Sequence, residues 1–382
     1  MSANRALGPC ADESYRLRRG HRNRGGSAAI AFPHAAKMAP MTHDWLLVET
    51  LGSEPAVVAQ GRRTQNLIPI GTFLRRNPHL MAVQTAVGET VRARQGLSSI
   101  TPKNDRVIRT EVVQMTDGRI HGVHVWIGPP DMEPPERPVP GPLVWDLETG
   151  TATATPESLA NSGWDSHQEP TQNRTFADDL PMRELNPSEA KVLTMAIKRE
   201  PGTTFCSTWD VTDHRGEPIS VGFVTRTVLE PQEDGGPDRL MCRAMNWRSE
   251  REQEPPQQDR LAQRILNGLA QPGMHRALVD PTNWTLLKWL DDPAPFFDWR
   301  VSLAGEHAVH PADRAEMEQM AVDFSTGIAT GVLRMTGVGG QEWEPVHVTV
   351  NRVELDDDVY AALATLRRPN ASEIAEAERR TS

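Results

Sequence analysis

Cysteine is scarce in this chain and never paired in sequence. Cys10, Cys206 and Cys242 are the three in 382 residues. Being odd in number and far apart, they argue against a disulfide framework, the lack of a CxxC pair excludes a zinc ribbon, and such usage fits a reducing compartment. Long hydrophobic runs are missing too. No stretch approaches the roughly 18–20 apolar residues that cross a bilayer. The stretch from Ser27 to Phe32 follows arginines as a signal peptide would, yet Pro33, His34 and Lys37 cut it short of a signal-peptide core. Positive charge is in deficit: 41 Lys and Arg against 51 Asp and Glu leave a net charge of −10. Nucleic acid is therefore not the expected partner, because non-specific affinity for it rests on clustered cations. A cytoplasmic protein without a membrane span is the expectation.

The familiar catalytic strings are absent as well. There is no GxxxxGK[ST] and no strand-bound GxGxxG, and Gly337–Gly340 reads as a glycine turn. No GxSxG elbow surrounds a serine, and neither HRD nor DFG occurs. Cys206, within Phe205-Cys206-Ser207-Thr208-Trp209, is expected to fill a strand core rather than attack a substrate, since reactive thiolates need electropositive surroundings. His121 and His124 are three apart, which on a strand sends them to opposite faces. His307 and His310 precede a helix that His310 is expected to cap. Neither spacing offers the third and fourth ligands of a metal site. Asp291-Asp292 and Asp356-Asp357-Asp358 are expected as solvated turns. Ten tryptophans and fourteen methionines are expected mainly to fill cores, with ligand cavities as the alternative use. The expected catalytic and metal residues are accordingly none. No cofactor is identifiable, and an unknown small-molecule ligand stays open.

What is present reads as several small cores. The length calls for two or three domains of roughly 100–150 residues, and 38% hydrophobic with 24% charged residues suits globular folding. Residues 1–40 stand apart: Arg16, Arg18, Arg19, Arg22 and Arg24 crowd together without apolar periodicity, so a disordered basic tail is expected. Met38 and Met41 offer alternative start codons, and a basic arm that tethers the protein to an acidic partner is the other reading. A first module is expected over 43–128, with a hairpin from Trp45 to Ala59, a helix opened by Asn77-Pro78, and strands Val107–Met115 and Ile120–Ile127 around Asp117-Gly118. Prolines throughout 129–142 predict a semi-rigid linker.

A second module is expected over 143–249. Its helix starts at Asn186-Pro187 with Glu189 at the capping-box position and Val192, Leu193 and Ala196 on the apolar face. Strands follow at Thr204–Val211, Ile219–Leu229 and Leu240–Trp247. A polar linker over 250–258 leads to a third module over 259–369. It begins with a helix at 259–270, whose Leu261, Ile265, Leu266 and Leu269 share one side and could pair with a second copy. A further helix opens at His310-Pro311-Ala312-Asp313-Arg314, three strands close the module, and 370–382 is expected as a disordered tail.

The same plan is written three times. Capped helices start at Pro78, Pro187 and Pro311, 109 and 124 residues apart, each followed by β-branched alternation. Strand pair, helices and antiparallel meander make an α+β fold, each sheet with helices mainly on one face. The His310-Pro311-Ala312-Asp313-Arg314 turn resembles that of PAS domains, and Asp117–Val123 is similar to their late sheet hairpin. From His43 to about Pro369 the chain closely resembles an actinobacterial family of sensor-domain-only proteins that join two PAS-type modules and one GAF-type module. Asp44–Gly52, Ile100–Lys103 and Leu261–Ala270 carry that likeness. The resemblance implies a non-enzymatic sensor or scaffold without an attached effector, acting with signalling protein partners, and it transfers no site residues. An enzyme with an unrecognised His/carboxylate pocket is the rival reading.

Overall fold

The computed structural model describes residues 43–181, 186, 188–232, 235–250, 260–301, 308–339 and 342–381. The expected tail at 1–40, nearly all of the 250–258 linker, Pro187, Asp259 and His307 lie outside them.

Alternating apolar residues and tight turns give three antiparallel sheets. The first comprises Leu46–Glu49 (β1), Ala56–Gln60 (β2), Arg63–Pro69 (β3), Ser98–Ile100 (β4), Val107–Gln114 (β5) and Ile120–Gly128 (β6), with helices Ile70–Phe73 (α1) and Leu80–Ala93 (α2) between β3 and β4. Its order is β3-β2-β1-β6-β5-β4.

The second comprises Gly141–Asp146 (β7), Thr151–Ala154 (β8), Arg174–Thr175 (β9), Thr204–Thr212 (β10), Pro218–Glu230 (β11) and Arg239–Arg248 (β12), ordered β10-β11-β12-β7-β8-β9. Its helices are Pro156–Asn161 (α3), Phe176–Asp179 (α4) and Glu189–Lys198 (α5).

The third follows Arg260–Gly268 (α6) and comprises His275–Val279 (β13), Leu286–Trp289 (β14), Ile328–Thr336 (β15), Trp343–Asp356 (β16) and Val359–Arg367 (β17), ordered β14-β13-β17-β16-β15. Arg314–Thr326 (α7) precedes its meander and Ala371–Thr381 (α8) follows it. All three sheets share one wiring: an opening hairpin, a helical crossing, then a three-strand meander whose last strand returns beside the first.

The sheets stack in layers. Leu46 and Val48 of β1 pack on the α2 side with Val83 and Val87, while Leu47 joins Val224, Met245 and Trp247 on the other side. The first two sheets therefore meet face to face, which is why β1 is buried along its whole length. Gly222 belongs to that close approach: a Cβ there would lie 2.3 Å from Trp247 Nε1 and 2.7 Å from Thr64 Oγ1. On its far face the second sheet carries α3–α5, and α4 and α5 also meet the third sheet, whose Leu278, Leu287 and Ala361 join the same core. Helix α7 covers the opposite face of the third sheet through Met320 and Phe324. The third sheet thus has helices on both faces, one set supplied by the preceding module. Likewise α5 is buried continuously from Val192 to Ala196 instead of along one stripe, as a helix held between two sheets must be.

Four expectations change. The 129–142 segment is docked: Trp45 Nε1 donates to Pro135 O at 2.9 Å, Arg109 meets Glu133 at 3.1 Å, and strand β7 already starts at Gly141. Residues 371–381 form α8 in place of a disordered tail. Asn370 Oδ1 accepts from the N–H groups of Ser372 and Glu373, Glu373 Oε2 accepts from Asn370 N, and Arg367 grips the Glu373 carboxylate at 2.7 and 2.9 Å, so a capping box and an ion pair hold a helix that little apolar surface could hold. The first module's helix begins at Leu80, because Asn77 Oδ1 accepts from His79 N to form a turn ahead of it. Asp291 is no solvated turn residue, since Arg276 binds it through Nε and Nη2 at 2.7 and 2.8 Å.

Candidate functional site

The middle module forms a cavity of 330 Å³, open at one side, between the inner face of its sheet and α4, α5 and the loop that follows α3. Leu143 and Trp145 of β7, Trp209 and Val211 of β10, and Val221, Phe223 and Thr225 of β11 form the sheet wall. Strand alternation puts every second residue of β10 and β11 on this side. Opposite stand Trp164, Asp179, Leu180 and Val192. Thr212 and His214, both exposed, mark the mouth. Trp209 and Phe223 meet edge to face with centroids 4.6 Å apart, an arrangement that aromatic quadrupoles favour.

The polar groups of the cavity are largely committed to one another. Asn246 Nδ2 donates to Ser158 O at 3.0 Å and to Ser162 Oγ at 2.9 Å, and its Oδ1 accepts from Asn161 at 3.3 Å. His214 Nδ1 lies 2.9 Å from Gly163 O. Asp179 ends α4, whose N-terminus is fixed by a capping box of Thr175 and Asp178. Its Oδ1 accepts from Arg174 Nε and Nη2 at 3.2 and 3.0 Å, and its Oδ2 from Trp145 Nε1 at 2.7 Å. Burial raises the Asp179 carboxyl above the usual range although Arg174 and Trp145 pull it down.

Elsewhere the buried reactive groups are held inert. Burial pushes the Cys206 thiol up to about 12, and Cys206 Sγ donates to Gln65 O at 3.3 Å. Cys242, fully buried, is likewise pushed up to about 12. Such thiols are poor nucleophiles. His121 and His124 share no partner. His121 Nδ1 lies 2.8 Å from Ala244 O and its Nε2 3.1 Å from Arg243, whereas His124 sits against Trp45 and Arg137. Burial pushes them down to about 4 and about 3. His310 caps the turn into α7 by accepting from Ala312 N at 3.1 Å. Among the described residues no three His, Cys, Asp or Glu side chains are grouped to hold a metal, and no helix is long and apolar enough to cross a membrane.

The cavity residues were not singled out as a site in the sequence because they are dispersed over β7, α4, α5, β10, β11, β12 and the loops between them. The available signal was the density of Trp145, Trp164 and Trp209 within one module.

Family models match the chain in three consecutive stretches: Rv3651-like, N-terminal, over 44–136; Rv3651-like, middle domain, over 139–249; and Rv3651-like, C-terminal domain, over 259–377. A solved structure of an uncharacterized protein from Mycobacterium tuberculosis is 57% identical, with a TM-score of 0.81, over 88% of this chain and 99% of that one. The chain belongs to the Rv3651-like family. The cavity lies within the stretch that matches the family's middle domain. Two further solved structures are similar at low identity. A sensory box histidine kinase/response regulator from Burkholderia thailandensis E264 is 17% identical over 34% of this chain and 88% of its own, with a TM-score of 0.20. An RNA-binding light-oxygen-voltage receptor is 10% identical over 63% of this chain and 98% of its own, with a TM-score of 0.21. At those scores neither carries weight for this fold. No curated protein matches the chain.

Proposed function

We propose that this Rv3651-like protein is a non-enzymatic cytoplasmic sensor, built from three PAS/GAF-type modules, in which a small molecule bound by the middle module alters contacts with signalling partners. The observation that carries this reading is the aromatic-lined 330 Å³ cavity, whose volume falls within the range of small-molecule sites, about 300–1,000 Å³. The thrice-repeated wiring supports it. So does the inert state of the buried thiols and imidazoles, which leaves those groups unsuited to chemistry.

The route out of the cavity supports the reading further. Helix α5 gives Val192 to the cavity and, one turn earlier, Glu189 to a buried ion pair with Lys288 of the third sheet. Arg199, just past α5, pairs with Asp280 at 2.7 Å, and Asp178 of α4 pairs with Arg300. A ligand that displaces Val192 or Asp179 therefore pushes on groups fastened to the C-terminal module, and coupling of this kind needs only a differential affinity between two arrangements. The test is thermal denaturation of the full chain with a small-molecule extract of the cells that make it, alongside hydrogen exchange at α5 and β14. A raised melting temperature with altered exchange at both elements supports the proposal. An extract without effect on either overturns it.

A further inference from the structure

We infer that the middle-module cavity takes a flat, uncharged aromatic molecule bearing one hydrogen-bond donor, which it gives to Asp179. The inference rests on the small-molecule reading above and names the ligand's chemistry. Shape comes first. Trp145, Trp164, Trp209 and Phe223 all contribute to the lining, and aromatic walls favour planar guests in offset or edge contact. Between them lie Leu143, Leu180, Val192 and Val221, which offer no hydrogen bonds and would leave a polar guest desolvated without compensation.

Charge comes second. Among the described residues Asp179 carries the one ionisable group deep in the lining, and Arg174, 2% exposed, already neutralises it. Asp213 stands at the mouth and spends its Oδ1 on Arg215 N and Glu217 N at 2.9 and 2.8 Å. An anion would meet the Asp179 carboxylate. A cation would surrender its hydration to a carboxylate that is already paired. A neutral guest avoids both costs.

The donor comes third. Each carboxylate oxygen accepts about two hydrogen bonds. Asp179 Oδ1 receives both from Arg174, whereas Oδ2 receives one from Trp145 Nε1, so among the described residues Oδ2 retains one acceptor direction. Three other polar side chains of the lining are engaged: Asn246 with Ser158, Ser162 and Asn161, Thr225 Oγ1 with Met195 Sδ at 3.9 Å, and His214 with Gly163. A guest N–H or O–H on Oδ2 completes the carboxylate.

Three probes on one flat bicyclic frame separate these features by calorimetry on the full chain: indole (neutral, one N–H), 1-benzothiophene (neutral, no donor) and indole-3-acetate (the indole frame with an anionic arm). Indole is expected to bind with one site per chain. Loss of one hydrogen bond makes benzothiophene about tenfold weaker, and indole-3-acetate at least as much weaker again. Val192→Phe and Val211→Phe, which fill the cavity from the helix side and the sheet side, are each expected to abolish indole binding. Either one that folds serves as the control. Indole-3-acetate binding as tightly as indole, or benzothiophene matching it, overturns the ligand class. Indole binding that survives a folded filler variant overturns the site. A cell extract that stabilises the protein while all three probes fail sinks the class and leaves the sensor reading standing, so the two failures are distinguishable.

Discussion

Replacing Lys288 with methionine strands the Glu189 carboxylate between two modules. Lys288 is 1% and Glu189 6% exposed at the side chain, and they meet in a buried hydrogen-bonded ion pair. Asn186 N, at 3.0 Å from the other carboxylate oxygen, is too small a compensation for the lost charge. Breaking a buried pair from one side costs about 3–5 kcal/mol, whereas replacing both partners with well-packed neutral groups is often close to neutral. Lys288→Met should therefore destabilise the chain by about 3–5 kcal/mol. Glu189→Gln combined with Lys288→Met should recover more than about 2 kcal/mol of that, a coupling well above the additivity error of distant sites. Urea unfolding followed by tryptophan fluorescence reads both, with the second and third sheets losing structure together because they share α4 and α5. A Lys288→Met cost below about 1 kcal/mol, or single-variant costs that simply add, would refute the idea that this pair fastens the two modules.

Acid should weaken the fold before its carboxylates titrate. His121 and His124 are held at about 4 and about 3, below the unfolded value of about 6.5, so the unfolded chain binds more protons between those limits and stability falls as pH drops from 6.5 toward 4. Each histidine contributes about 1.4 kcal/mol per pH unit in that window, and His124→Phe should flatten the melting-temperature profile by about one proton. Gly222→Ala, which drives a methyl group into Trp247 and Thr64, should cost about 1–3 kcal/mol in chemical unfolding by prising the first two sheets apart. Glu373→Ala should free α8 from Arg367, seen as faster hydrogen exchange over 371–381 with the sheets unchanged. Ile265 on α6 and Leu269 just past its end are 52% and 63% exposed. If α6 joins two copies, Ile265→Asp should lower the mass seen by light scattering, and an unchanged mass removes that role.

Strand positions were legible because their signals are local. The Asp117-Gly118 turn, with Gly118 at φ 81°, and the alternation through Thr204–Val211 need no knowledge of distant residues. Layering was not legible, because two-sided burial of β1 and of α5 depends on sheets far off in sequence. Charges were legible only in their local half: Asp291 reads as a turn until Arg276 is placed beside it, and Glu189, which accepts from Asn186 N as a capping box requires, also holds Lys288 from 99 residues away. The helix at 371–381 was visible in principle, since Asn370 and Glu373 carry the spacing of a capping box, yet its apolar content is slight. The cavity was least legible. A void is a property of what fails to fill the space among Trp145, Trp164, Trp209 and Phe223, and single residue types do not record it.

Native mass spectrometry of the full chain purified from the cells that make it, wild type beside Val192→Phe, tests the occupied cavity most directly. The sensor reading predicts a non-covalent small-molecule mass on the wild type, one per chain, and none on the folded variant. A bare wild type, or an adduct equally retained by Val192→Phe, would contradict it.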